Sequence, residues 1–154
     1  MNSLSRELRS FDGRLIRLYK QITHADLVAA VNGESQDVLI AALPAGVYSL
    51  LASSVKINTF FTGGGATAVT CAIGTGASPG DPDSIIDELN VFDTTATGIW
   101  IPGTKGVTPT GPKGGSSIYA EFDLDAGHTL LALTAGDLEV ELLIVARPDE
   151  KLEY

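Results

Sequence analysis

The stretch "FFTGGGATAV", residues 60–69, sets three consecutive glycines between two runs of β-prone residues. Glycines so placed let backbone N–H groups approach a phosphate closely. Gly63, Gly65 and Ala68 match the dinucleotide-binding pattern G-x-G-x-x-A, and Asp83 lies near the distance expected of a ribose-binding acid. That chemistry requires a helix to begin at the glycines, so that its N-terminus can face the pyrophosphate. The residues that follow, "TAVTCAIG", alternate and are β-branched, so no helix is expected and the glycines are read as a sharp turn between two antiparallel strands. Two phosphate-loop near-matches fail on the lysine: "GVTPTGPK" has Pro112 in its place and "GIWIPGTK" has Thr104.

"GASPG", residues 76–80, has the spacing of a nucleophile elbow around Ser78, with acids and His128 following in hydrolase order. In such an elbow the residue after the serine donates its backbone N–H to the oxyanion. Here that residue is Pro79, which has none, so Ser78 is read as a loop serine. "EFDLDAG" offers Glu121, Asp123 and Asp125 in the manner of a calcium loop. The twelfth position, where a bidentate Glu belongs, is Ala132 or Thr134 in the two registers, and the sixth, where glycine belongs, is Ala126 or His128. The alternative is a strand with Phe122 and Leu124 facing inward and the acids facing water. His24 and His128 stand apart from other candidate ligands and are read as structural or surface residues. Cys71 continues the alternation Val69-Cys71-Ile73 and is read as a small apolar strand residue. Neither a metal, a cofactor nor a catalytic group is expected, so the chain is read as non-enzymatic. Trp100, the single tryptophan, is expected in a core or an interface.

These residues must be held by a framework of strands. A chain of 154 residues buries roughly 70% of its unfolded surface in one core, which predicts one domain. Strands are expected at about 14–22, with Ile16, Leu18 and Ile22 on one face, and at 36–43, 47–61, 66–74, 98–102, 116–124 and 137–146, the last with Leu138, Val140, Leu142 and Ile144 aligned. Thr23 and Asp26 form a capping-box signature that predicts a short helix over "HADLVAAV". "SIIDELNVF", 84–92, reads equally as a helical turn or a strand. The fold class is all-β, an antiparallel sandwich or barrel with one or two short helices. The expected division is an N-terminal arm, 1–13, a β-domain, 14–148, and a C-terminal tail, 149–154.

Charge is unevenly placed. Arg6, Arg9, Arg14, Arg17 and Lys20 against Glu7 and Asp12 give the first twenty residues a net +3, whereas the rest of the chain carries five basic and seventeen acidic side chains, for a total of −9. An acidic body disfavours nucleic acid and anionic membranes as partners. The uncharged run "VLIAALPAGVYSLLASSV" approaches the length of a membrane span, but Pro44-Ala45-Gly46 divides it and two strands around a turn are expected instead. The first twenty residues are too charged for a signal peptide, so a soluble chain that keeps its N-terminus is expected.

Over residues 15–147, apart from the loop 103–115 and without the basic arm before residue 15, "ITHADLVAA", "VLIAALPAG" leading into "SSVKINTFFTGGGATAVTCAIG", and the closing "LTAGDLEVELLIVARP" together resemble the head decoration, or cement, proteins of tailed bacteriophages. The resemblance implies a β-sandwich or jelly-roll domain that forms a homotrimer on the outer surface of the virion head, with the major capsid protein as partner and no active site. Under this reading Arg6, Arg9, Arg14 and Arg17 are expected to contact the capsid or a neighbouring subunit, by adding a strand to an exposed sheet edge. The alternative is a phage tail or receptor-binding module that recognises a host surface glycan, which the sparse aromatics disfavour.

Overall fold

A computed structural model of the chain describes residues 14–28, 34–43, 47–75, 81–93, 95–103 and 117–147. Eight strands run in the order β1 (Arg14–Thr23), β2 (Ser35–Ala42), β3 (Val47–Gly63), β4 (Val69–Thr75), β5 (Asp81–Asn90), β6 (Trp100–Pro102), β7 (Ser117–Leu124) and β8 (Leu133–Arg147). They form two four-stranded sheets, ordered β1-β8-β3-β6 and β2-β7-β4-β5, and every pairing is antiparallel.

The order has a simple origin. β1 pairs with β8, β2 with β7, β3 with β6 and β4 with β5, as in one long hairpin whose tip lies between β4 and β5. Rolling that hairpin brings β3 beside β8 and β4 beside β7, which splits the ribbon into two facing sheets. This is the jelly-roll arrangement of the sandwich.

Alternation drives the packing. Leu138, Val140, Leu142 and Ile144 of β8 are fully buried, as are Val69 and Ile73 of β4 and Ile118, Ala120 and Phe122 of β7. Val55, Ile57 and Phe61 of β3, beside β8, complete the core against β4 and β7. Cys71 is buried among them as a free thiol, and burial, with a contribution from Glu121, pushes its pKa upward. Val91 stitches the layers: its N–H donates to the Val69 carbonyl and its own carbonyl accepts from Phe61 N–H, each at 3.0 Å.

Two expectations are revised and one open reading is decided. The capping box at Thr23 does form, with the Thr23 N–H donating to Asp26 Oδ2 at 2.8 Å, but it opens only a 3-10 turn, His24–Asp26. The rest of the expected helix beyond Val28, residues 29–31, lies outside the described residues. The ambiguous segment 84–92 is strand through Asn90. Ser84 does not cap a helix; its hydroxyl accepts from Thr75 N–H on the neighbouring strand at 3.1 Å. The triple glycine does not join paired strands either. It carries the chain from β3 in one sheet to β4 in the other, with all three residues at positive φ.

No helix among the described residues is long and apolar enough to cross a membrane.

Candidate interaction surface

The glycine corner is shaped by protein rather than built around a ligand. Gly64 sits at φ +62, and a Cβ there would come within 2.5 Å of the Ala132 Cβ. The following residues are clasped by Asp125 from the β7–β8 connection. Its carboxylate accepts from Thr67 N–H at 3.1 Å, Ala68 N–H at 3.2 Å and the Thr67 hydroxyl at 3.0 Å. Desolvation pushes the Asp125 carboxyl up, but these hydrogen bonds and the nearby His128 together hold it below the usual range. His128 Nδ1 lies 2.9 Å from Asp125 Oδ2 without meeting hydrogen-bond geometry. The backbone N–H groups a dinucleotide site would offer at Thr67 and Ala68 are therefore occupied, and the next element is strand β4.

The acids of "EFDLDAG" lie as alternation predicts. Phe122 and Leu124 are buried, while Glu121 and Asp123 face outward from the β2-β7-β4-β5 sheet. Around them stand Asp37, Asp83, Asp87 and Glu88, and Glu121 and Asp123 line a depression together with Thr70 and Ala72. None of the four strands of this sheet contains Lys or Arg. Desolvation, then the charge of Asp123, raises the pKa of both Asp37 and Glu121, and Asp37 and Asp83 add to the effect on Glu121. Among the described residues no group of three or more acids, histidines or cysteines has a metal-binding arrangement.

The other outward face carries charges of both signs, Arg17 and Lys56 among Asp137, Glu139 and Glu141. All five Lys and Arg residues within the described ranges, Arg14, Arg17, Lys20, Lys56 and Arg147, belong to strands of the β1-β8-β3-β6 sheet. In-register residues form rows across it. One row runs Tyr19, Glu141, Ser54 and Pro102; the next runs Gln21, Glu139, Lys56 and Trp100. Arg17 Nη2 lies 2.6 Å from Glu141 Oε2, and Lys56 Nζ lies 3.1 Å from Glu139 Oε2. Asn58 Nδ2 also donates to Glu139, and Gln21 Nε2 to Asp137. The hydrogen bond from Arg17 holds the Glu141 carboxyl below its ordinary pKa, and bonds from Asn58 and then Lys56 do the same for Glu139. The guanidinium of Arg17 is raised by the same contact. Lys56 Nζ also stands 5.3 Å from the centroid of the Trp100 ring.

Trp100 is therefore not a core residue. It is 41% exposed on the edge strand β6, while Tyr19, 50% exposed, occupies the opposite edge strand β1. Leu15 and Leu51 are also exposed on strands of this sheet. Ser49, in register with Val145 and Leu15, is buried, and its hydroxyl has no hydrogen-bond partner among the described residues.

Of the predicted contact residues, Arg17 stands exposed on β1, and Arg14 opens that strand opposite Ala146. Arg6 and Arg9 lie outside the described residues, as do Ser78 and Pro79. The sequence reading did not single out Tyr19, Lys56, Glu139 and Glu141 as a group. The alternation Leu15-Arg17-Tyr19 was the readable sign that β1 presents a mixed outward side.

The described residues thus form an eight-stranded jelly roll with one acidic face and one face of paired charges and exposed aromatics. Two solved structures share it. The chain aligns with one from the asymmetric unit of the cyanophage Pam1 capsid at a TM-score of 0.57 and 14% identity, covering 90% of this chain and 88% of that one. It aligns with a chain from the capsid of Ralstonia phage GP4 at a TM-score of 0.52 and 17% identity, covering 90% and 86%. Near-equal coverage in both directions means that the likeness joins chains of similar length; at these identities it establishes the fold. No protein-family model and no curated protein sequence matches the chain.

Proposed function

We propose that the chain is a non-enzymatic structural protein of a tailed-phage virion, a cement protein that decorates the outer surface of the head as a homotrimer and binds the major capsid protein. The observation that carries this reading is the jelly roll shared, over nine-tenths of its length, with chains from two phage capsids. The physical character of the chain supports it. Its core residues stiffen a sandwich, its glycine corner is filled by its own neighbouring loop, and its outward faces offer contact surface. A ligand that binds only the assembled shell stabilises that shell by mass action, and linking three copies raises attachment through avidity. Residues 1–13 act as an arm ahead of the domain 14–148, with 149–154 as a tail. Arg6, Arg9, Arg14 and Arg17 contact the shell or a neighbouring copy.

Co-sedimentation with heads assembled without the chain tests the proposal. The full chain pellets with such heads, and a chain lacking residues 1–12 binds less while keeping its β-sheet circular dichroism. A full chain that stays in the supernatant at all concentrations contradicts the reading.

A further inference from the structure

The two outward faces of the sandwich differ in what it would cost to cover them. On the β2-β7-β4-β5 side, Asp37, Glu121 and Asp123 crowd one another with no cation in any strand of the sheet. Covering that face would strip water from carboxylates, Asp37, Glu121 and Asp123, that have no Lys or Arg in the strands around them. On the β1-β8-β3-β6 side the outward charges are already partnered: Arg17 with Glu141, Lys56 with Glu139, and Asp137 with Gln21. Charges held in hydrogen-bonded pairs retain their partners when water leaves. The same face exposes Tyr19, Trp100, Leu15 and Arg17, and Tyr, Trp and Arg are the residue types that dominate binding at protein interfaces.

The occupant follows from charge. A chain of net −9 repels its own copy across most approaches. The described cations all lie in strands of this one sheet, where Arg17 and Lys56 alternate with Glu139 and Glu141, so a second copy can set each sign against its opposite. We infer that copies of the chain pack against one another through the outward face of the β1-β8-β3-β6 sheet, with Tyr19 and Trp100 buried in the contact. This rests on the self-association proposed above and assigns it a surface. The acidic face is left to solvent.

Trp100 is the only tryptophan of the chain, so its emission reports on this surface alone. The test is sedimentation velocity of the full chain across a dilution series, with acrylamide quenching measured on the same samples. The oligomer should show Trp100 emission shifted to the blue and far less quenched than N-acetyltryptophanamide, with both effects fading if dilution releases monomer. A Tyr19→Ser/Trp100→Ser variant should associate at least about tenfold more weakly, whereas Asp87→Asn/Glu88→Gln on the opposite face should associate as the parent does. An oligomer whose Trp100 is quenched as readily as the free fluorophore, or which survives the double serine variant unchanged, overturns the surface while leaving self-association intact. A monomer at every concentration overturns both.

Discussion

Phe61 of β3 and Phe122 of β7 meet across the sandwich, with ring centroids 5.1 Å apart and planes tilted by 47°. Both are fully buried, and each comes from a different sheet, so the pair ties together the two halves of the rolled hairpin. A tilted contact of this kind adds about 0.5–1.5 kcal/mol to the burial of the rings.

Phe61→Ala should cost about 3–5 kcal/mol, because it leaves a cavity between layers that cannot close without moving a sheet. Trp100→Ala, on the exposed edge strand, should cost about 1 kcal/mol or less in the isolated chain, since only a cation–π contact and partial packing are lost. Urea titration followed by circular dichroism measures both. Equal losses would mean that Trp100 belongs to the core after all.

At the glycine corner, Gly64→Ala should destabilise by about 2 kcal/mol or more, because strain at positive φ adds to a collision with Ala132. Gly98 also has positive φ but open space around its missing side chain, so Gly98→Ala should show the backbone cost alone, about 1 kcal/mol. Melting temperatures of the two variants decide it. A milder effect at Gly64 than at Gly98 would contradict the close packing of the corner.

The acidic face sets a pH dependence of definite sign. Glu121 and Asp37 have native pKa values raised above their unfolded ones, chiefly by desolvation and then by Asp123. Their contribution to stability is present below the unfolded values, about pH 4, and is lost as pH rises through the native ones. Asp125, Glu139 and Glu141, held low, act in the opposite sense and lose their contribution as pH falls. Glu121→Gln should therefore be more stable than the parent at neutral pH, with the two converging below about pH 4. Denaturation midpoints at both pH values check this, and a variant less stable than the parent at pH 7 would contradict it.

Cys71 offers a probe of the core. Its thiol is buried in the core on β4, the strand between β5 and β7, and burial favours the neutral, unreactive form. A thiol reagent such as DTNB should react with none of the native chain and with one equivalent after denaturation. Rapid labelling of the native chain would mean that the sheet opens locally at β4.

Much of this architecture could be read from alternation. Leu138 to Ile144, Val69 to Ile73, and Phe122 with Leu124 face inward as their period of two demands. Alternation failed where a residue served a neighbour distant in sequence. Ser84 and Asp87 resemble a helix start, but the backbone bonds of that segment go to β4. Gly136 interrupts the pattern before Asp137, yet β8 continues through it, because the ring of Phe61 occupies the space a side chain would need. The triple glycine reads as a hairpin because composition alone cannot say that its flanking strands enter different sheets. The interaction surface was the least readable part. Arg17, Tyr19, Lys56, Trp100 and Glu139 come from four strands, and only the pairing of β1, β8, β3 and β6 brings them onto one face.

The central claim, that this sandwich reinforces a capsid, is tested most directly by the temperature at which heads release their DNA. Heads assembled without the chain should rupture at a lower temperature than decorated heads, and adding the purified chain back should restore the difference in a saturable manner. Heads that rupture at the same temperature with and without saturating chain would contradict the account.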